Sequence, residues 1–290
     1  MEPCPTNLYA GPPRGPCGQY ARRKGHLPME TIREKNIRER LAQRWLKIPA
    51  QWLKYAAALL MVLSSANTVI LKNAVIRLDT YTQESLMAAM DADSQLMGWV
   101  GAASIIDALA GLAVPLFAFL LVEGMLHTSD FRRYLLRTAV TAVVGEAAYD
   151  FALTGRFLDL SHQSPMLGLL ICLIMLYFMG RVEKQPLVDR VILQILLALS
   201  GLFWVLLLRV EHGLPVVLMT AVFYCLRDHW VVKLVLALVC SLQYPLAPMS
   251  FIALVFYNGK REMKCPPMFF YVLYPAHLLI LGVVGRYILA

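Results

Sequence analysis

The run from Leu187 to Leu208 has the sequence L-V-D-R-V-I-L-Q-I-L-L-A-L-S-G-L-F-W-V-L-L-L. Because an α-helix rises about 1.5 Å per residue, a run of this length crosses the roughly 30 Å hydrocarbon core of a bilayer. The chain has 290 residues, of which 59% are hydrophobic and 16% are charged, and its mean hydropathy is +0.59. These features predict an all-α, polytopic membrane helix bundle.

Four carboxylates interrupt the apolar runs of this chain. They are Asp107, Glu123, Glu146 and Asp150. A charged group that faces lipid is costly, so each of them is expected to face a polar cavity, a partner or a substrate. These four residues are therefore the first candidates for a functional site.

The net charge is +8, with 27 Lys and Arg residues against 19 Asp and Glu residues. The basic residues lie in the N-terminal segment and in short loops, which is typical of topology signals and of contacts with a bilayer and its anionic headgroups. No aromatic-basic module indicates a nucleic-acid partner. The six cysteines form no C-x-x-C pair, so the sequence indicates neither a disulfide framework nor a metal site.

The segment before the first apolar run is polar. Residues 1–30 are rich in Pro, Gly and Arg and are predicted to be a disordered extension, within which Met29 is an alternative start. Residues 31–50 are predicted to form a basic amphipathic helix on the membrane surface, and a solvated basic helix is the alternative. Its apolar residues recur at helical spacing: Ile37, Leu41, Trp45 and Ile48. The transmembrane domain is predicted to occupy 51–290.

The apolar pattern predicts about nine transmembrane helices. The predicted spans are 51–73, 99–126, 134–153, 164–182, 190–209, 213–226, 230–245, 247–258 and 268–289. Pro215, Pro245 and Pro248 break the region of the short spans, where a pair of re-entrant or strongly tilted segments is the alternative. Every second loop carries most of the Arg and Lys residues, which predicts a cytoplasmic N-terminus and an extracytoplasmic C-terminus.

Two pairs of polar residues have the spacing of one helical turn. Glu123 and His127 end the second span, and the carboxylate can orient the imidazole and raise its basicity; the alternative for His127 is a simple helix cap. Glu146 and Asp150 lie on one side of the third span, where two carboxylates repel unless one is protonated or paired. A polar clamp between helices is the alternative for this second pair. Asp107 lies among small residues, where it suits helix packing as well as ligand binding.

His277 is the only histidine firmly inside a predicted span. An imidazole at that position can act as a base, or it can simply satisfy a hydrogen bond within the bundle. His162 and Gln163 lie at the outward mouth, where they can touch a substrate or belong to a solvated loop. No nucleophile elbow, phosphate loop or zinc-binding helix motif is visible.

Three stretches carry a resemblance to a known family. P-L-F-A-F-L-L-V-E-G at Pro115 to Gly124 is followed by F-R-R-Y-L-L-R at Phe131 to Arg137 and by G-E-A-A-Y-D-F-A at Gly145 to Ala152. L-K-Y-A-A-A-L-L-M at Leu53 to Met61 and F-Y-V-L-Y-P-A-H-L-L-I-L at Phe270 to Leu281 resemble an opening and a closing motif. Together these stretches resemble the TraX family of conjugation-associated membrane proteins.

The resemblance implies a multi-pass protein of the bacterial inner membrane that is related to transmembrane acyltransferases. The activity named for the family is acetylation of pilin, with acetyl-CoA as the expected donor and no metal. The resemblance carries five polar residues over as catalytic candidates: Glu123, His127, Glu146, Asp150 and His277. Arg132, Arg133 and Lys260 are the candidates for binding the anionic donor. A pilin-like peptide, a glycan or a lipid is the expected acceptor.

The chain departs from the family pattern in its first span. The family has Asp-His where this chain has Ser64-Ser65, and a serine cannot act as a general base at neutral pH. Two alternatives to an acyltransferase follow. A catalytically degenerate relative would bind a membrane partner, and a proton-coupled transporter would also need buried carboxylates, although the chain has no visible repeat halves.

Overall fold

The computed structural model describes residues 48–159, 161–259, 266 and 268–287. The predictions for 1–30, for nearly all of 31–50 and for Lys260 lie outside the described residues. Every regular element within them is helical. The α-helices are α1 Ala50–Ala66, α2 Gln83–Ala92, α3 Ser94–Ala110, α4 Ala113–His127, α5 Phe131–Thr154, α6 Pro165–Val182, α7 Leu187–Leu207, α8 Gly213–Cys225, α9 Trp230–Ser241, α10 Ser250–Val255 and α11 Met268–Tyr287.

Three further helical segments are not α-helices. A π-helix, Asn67–Ile76, continues α1, and it is followed by the 3₁₀ turn Leu78–Thr80. A second 3₁₀ turn, Ala247–Met249, leads into the six-residue α10. The stretch predicted as a span at 247–258 is therefore two short helical pieces rather than one long helix.

Five helical segments are long and apolar enough to cross a membrane. They are Ala50–Ile76, Ser94–His127, Pro165–Val182, Leu187–Leu207 and Met268–Tyr287. Two shorter apolar helices, α8 and α9, have 13 and 12 residues. The prediction of a polytopic helical membrane protein is confirmed, while the count of nine spans stays a prediction.

Local sequence signals explain several helix boundaries. Thr82 and Ser85 form a capping box that starts α2, and the Asp130 carboxylate accepts a hydrogen bond from the Arg133 N–H at the start of α5. Pro165 occupies the first turn of α6, where the missing N–H costs nothing. Gly155 ends α5 with a φ of 78°, a left-handed conformation that glycine adopts without a steric penalty.

The main apolar core lies between α4, α6 and α8. Leu173, Leu176 and Met179 of α6 are fully buried, and so are Met219 and Phe223 of α8. By contrast, α7 exposes most of its large apolar side chains, which is expected of a helix that faces lipid. The polar residues of the protein must therefore be sought between the inner helices.

Backbone contacts define the two ends of the bundle. At one end, Ile48 pairs with Tyr257, and Glu183 binds Arg227 at 2.6 Å between Nη1 and Oε1. We call this the basic end, since the loops there hold Arg132, Arg133, Arg181, Lys184 and Arg227. At the opposite end, Gln163 pairs with Val210. Consecutive long helices thus alternate in direction between the two ends.

Helices α5 and α11 pack closely because glycines lie at their contact. A Cβ atom added at Gly145 would lie 2.5 Å from Cε1 of Tyr274, and one added at Gly282 would lie 3.0 Å from the Cα of Ala152. Small residues that allow such an approach are typical of helix contacts in membranes. This contact places Glu146 and His277 on neighbouring helices.

We expect Gly145→Ala to destabilise the protein by about 1–3 kcal/mol, because the new methyl group overlaps the buried Tyr274 ring. Thermal unfolding of the purified protein in detergent measures the effect. Gly101→Ala in α3 is the matched control, since a Cβ there meets nothing within 4 Å. Equal melting temperatures for the two variants would contradict the close packing of α5 on α11.

Candidate functional site

A cavity of about 330 Å³ lies between the inner helices and extends from one end of the bundle towards the other. Its polar wall residues at the basic end include Lys54, Glu123 and Tyr257. Its polar wall residues at the opposite end are Tyr149, Glu211 and His212. Ser64, Ser65 and Thr68 of the first span line it between these groups. We call this space the inner cavity.

His277 meets the inner cavity through Ser65. The side chain is buried, its Nδ1 lies 2.8 Å from the carbonyl oxygen of Leu273, and its Nε2 lies 3.1 Å from Oγ of Ser65. With its hydrogen on Nδ1, the ring donates to Leu273 and leaves Nε2 as an acceptor for the serine hydroxyl, which also has the Met61 carbonyl oxygen as an acceptor at 3.1 Å. The last span thus places the imidazole of His277 against Ser65 of the first span, where the family resemblance implies a histidine.

Glu146 holds the start of α6. Its Oε2 accepts a hydrogen bond of 2.7 Å from the Ser164 hydroxyl, and its Oε1 accepts one of 3.0 Å from the Ser164 N–H. Ser164 precedes α6 directly and is completely buried. Among the residues that the structure describes, the donors to this carboxylate are an amide and a hydroxyl, which stabilise it by hydrogen bonds.

Asp150 holds the loop that follows α5. Its Oδ2 accepts a hydrogen bond of 2.8 Å from the Asp159 N–H. The Asp159 carboxylate in turn accepts one of 2.9 Å from the Ser161 N–H, and this bond lowers the pKa of Asp159. Neither Glu146 nor Asp150 is among the described residues that line the inner cavity. The predicted pair thus orders the loop at the opposite end of the bundle.

Glu123 lines the inner cavity at its basic end. The Tyr257 hydroxyl lies 3.3 Å from its Oε2, and Nδ1 of His127 lies 3.5 Å from the same atom. His127 also lies 3.0 Å from the Glu123 carbonyl oxygen, and its side chain is half exposed. The expected contact between the two side chains is found, but His127 faces outwards at the end of the helix.

The predicted donor-binding arginines lie at the basic end. Arg132 and Arg133 are exposed, and Arg133 pairs with Asp130 at 3.0 Å between Nε and Oδ2. Neither arginine lines the inner cavity. Lys54, which the sequence analysis did not single out, lines the cavity at the same end.

Asp107 belongs to a separate polar contact. Its Oδ2 lies 2.6 Å from Nζ of Lys72, and its Oδ1 accepts a hydrogen bond of 2.8 Å from the buried Asn67 side chain. Both partners lie in the π-helix Asn67–Ile76, and π-helical turns are often found at specialised positions. The contact joins the π-helix to α3, which agrees with the packing alternative for Asp107.

Four polar residues at the opposite end form a chain that sequence reasoning missed. The Tyr149 hydroxyl donates to Oε2 of Glu211 at 2.8 Å, and the Tyr244 hydroxyl lies 2.6 Å from Nδ1 of His212. Oε1 of Glu211 and Nε2 of His212 are 3.7 Å apart. Glu211 and His212 are adjacent in a short loop between two apolar runs, which was the available signal.

Within the described part of the chain, no group of three His, Cys, Asp or Glu side chains could hold a metal ion. The described free cysteines, Cys172, Cys225 and Cys240, lie in α6, α8 and α9 respectively, and Cys172 is buried. The described wall of the inner cavity contains serine, histidine, carboxylate and tyrosine side chains.

Comparison with known proteins identifies the domain that holds this cavity. The sequence model of the family described as TraX protein matches residues 50–285. The chain belongs to the TraX family. No match is found among curated proteins or among solved structures. The match begins at the first residue of α1 and ends two residues before the end of α11. The inner cavity is thus built within the TraX domain.

Within the TraX domain, a polar contact connects the first span to the last. Ser65 lies in the first span and His277 in the last, and their side chains meet across 212 positions of sequence. Ser64-Ser65 is the position at which the family resemblance implies Asp-His. The contact makes that position the natural place to test what the cavity does.

Proposed function

We propose that this TraX-family protein is a transmembrane acyltransferase that moves an acetyl group from acetyl-CoA to an amine or hydroxyl acceptor. The observation that carries the proposal is the contact of 3.1 Å between Nε2 of His277 and Oγ of Ser65 beside the inner cavity. It supplies an oriented imidazole, which is the group that the altered first span lacks.

His277 and Ser65 can pass a proton between them. In the resting state neither side chain needs to carry a charge. The Leu273 carbonyl holds the Nδ1 hydrogen of His277, so Nε2 faces the Ser65 hydroxyl as an acceptor. As the acceptor attacks the thioester carbon, its proton passes to the Ser65 oxygen while the Ser65 proton passes to Nε2. A new bond from nitrogen or oxygen to carbon forms, the carbon–sulfur bond breaks, and the departing thiolate receives the proton.

The basic end of the inner cavity suits the acetyl-CoA donor, and the opposite end is left for the acceptor. The basic end holds Lys54 in the cavity wall and exposed Arg132 and Arg133 outside it, which fits the anionic phosphates of CoA. Acetyl-CoA would supply the activated acetyl group, and a cavity of about 330 Å³ suits its thioester end rather than the whole molecule. From its position in the sequence, Lys260 is also proposed to contact the phosphates of the donor.

The loop charges give this arrangement a direction. The basic end would face the cytoplasm of a bacterial inner-membrane protein, as basic loops do, and the opposite end would face outwards. The donor would then bind from the cytoplasm, and the acceptor would meet the cavity from the other side. The N-terminus would be cytoplasmic and the C-terminus extracytoplasmic.

Purified protein mixed with acetyl-CoA labelled in its acetyl group tests this function. We expect saturable binding of the donor and transfer of the label to added amines or hydroxyl compounds. Salt should weaken donor binding, because phosphate contacts with arginine are screened by ions. Absence of both saturable binding and transfer would contradict the proposal.

A second function is favoured by the sequence of the first span. Ser64-Ser65 replaces the residues that the family resemblance implies for catalysis, so the protein could instead be a non-catalytic relative that binds a lipid, a peptide or an assembly partner. The same experiment separates the two functions, since this relative would neither bind nor use the labelled donor.

A further inference from the structure

A second space, of about 510 Å³, opens at the opposite end of the bundle. We call it the outer cavity. Tyr149, Glu211 and His212 line both the inner and the outer cavity, so these three side chains form the boundary between them. Its volume lies within the roughly 300–1,000 Å³ that small-molecule sites usually have.

The boundary is held in an unusual backbone conformation. Arg209 and His212 have φ values of 50° and 57°, which place both in the left-handed region although neither is glycine. Such strain persists where surrounding contacts enforce it, and it is concentrated at ligand-binding positions. The contacts here are backbone hydrogen bonds from Gln163 N–H to Arg209 O at 3.3 Å and from Glu211 N–H to Gln163 O at 3.0 Å.

The side chains at the boundary alternate between donors and acceptors. Tyr149 donates to Glu211, while Tyr244 occupies Nδ1 of His212. The remaining atoms, Oε1 of Glu211 and Nε2 of His212, are 3.7 Å apart, which is too long for a hydrogen bond between them. A hydroxyl group that approaches both atoms from the cavity, beside the line that joins them, could accept from Nε2–H and donate to Oε1.

The charges around the boundary favour a neutral ligand. Glu211 is accompanied in the outer cavity by Arg209, His162 and His212. One carboxylate beside one guanidinium leaves no net negative charge to hold an ammonium group, and the aromatic rings of Tyr149 and Tyr244 provide flat apolar surfaces. A compound with many hydroxyl groups offers both the donors and the acceptors that this mixed set requires.

We propose that the outer cavity binds a neutral sugar or related polyol, one hydroxyl of which sits between Glu211 and His212. This inference rests on the proposed function, because it makes the bound compound the acceptor: the hydroxyl at Glu211 and His212 anchors it, and another of its hydroxyls passes the boundary towards Ser65 in the inner cavity. It narrows the acceptor from an amine or a hydroxyl to a carbohydrate hydroxyl.

Binding is tested on the full-length purified protein without acetyl-CoA, with glucose and N-acetylglucosamine as probes and ethanolamine as the cationic comparison. We expect each sugar to raise the melting temperature with a saturable dependence on concentration, whereas ethanolamine has no such effect. Glu211→Gln and His212→Asn should each weaken sugar binding about ten- to hundredfold, since each removes one polar contact to the hydroxyl.

Glu211→Gln and His212→Asn are chosen so that the variant proteins can still fold. Glutamine keeps an oxygen for the Tyr149 hydrogen bond, and asparagine tolerates the left-handed conformation at position 212. Glu84→Gln, at an exposed position of α2, is the matched control and should bind sugar as the unaltered protein does. The inference would be overturned if ethanolamine, and not the sugars, raised the melting temperature. It would also be overturned if Glu211→Gln and Glu84→Gln bound sugar equally well.

Failure of the acyltransferase proposal gives a different result. Donor binding at the basic end should be unchanged in Glu211→Gln and His212→Asn, because these residues lie at the other end of the bundle. Saturable sugar binding without any binding of acetyl-CoA would support the outer site and contradict acetyl transfer. Donor binding and transfer to ethanolamine, with no sugar binding, would contradict the outer site alone.

Discussion

His277→Gln is expected to reduce acetyl transfer by about 10²- to 10⁴-fold, the usual contribution of a positioned general base. The substitution removes Nε2, which lies 3.1 Å from Oγ of Ser65, while leaving a side chain of similar length and polarity. Donor binding should hardly change, because Lys54, Arg132 and Arg133 stay in place. The loss should therefore appear in kcat, measured with the labelled donor at saturation.

Two further variants test whether His277, rather than another residue, is the base. Ser65→Ala removes the hydroxyl next to Nε2 and should lower kcat by a smaller factor, about tenfold, because water can carry the proton instead. His127→Gln alters an imidazole that is half exposed at the basic end and should leave kcat nearly unchanged. Full activity in His277→Gln, or a larger loss in His127→Gln, would show that His277 is not the base.

The helices of this protein could be predicted because their signal is local. Leu187–Leu207 is one continuous helix, as its sequence indicated, and Pro165 begins α6 one residue from the predicted start of that span. The region 247–258 was harder because Pro248 and the residues around it favour a 3₁₀ turn followed by a single short helix. Apolar composition alone does not distinguish such a piece from a full span.

The partners of the polar residues could not be predicted, since they depend on packing. Glu146 was expected to repel Asp150 unless one of the two was protonated or paired, or else to clamp two helices together. Its donors are the N–H and hydroxyl of Ser164, directly before the next helix. Ser65 and His277 were each singled out, and only the folded chain brings them together. Glu211 and His212 were missed because a two-residue polar loop becomes a site only when Tyr149 and Tyr244 pack against it.

Glu146→Leu is expected to prevent most of the protein from reaching its folded state in the membrane. The carboxylate accepts two hydrogen bonds from Ser164, and bonds to a charged group contribute about 1.5–3 kcal/mol each, so the total loss is roughly 3–6 kcal/mol. Ser164 is completely buried at the start of α6, so water cannot replace the lost acceptor there. The yield of monodisperse protein and its melting temperature measure the loss.

Leu167→Ala is the matched control, in α6 and three residues after Ser164. Leu167 is only partly buried against the core, so its truncation should cost about 1–2 kcal/mol, below the range for complete burial. Glu146→Gln separates charge from hydrogen bonding, since the amide oxygen can still accept from Ser164 and should recover much of the stability. If Glu146→Leu were as stable as Leu167→Ala, the carboxylate would not be holding the start of α6.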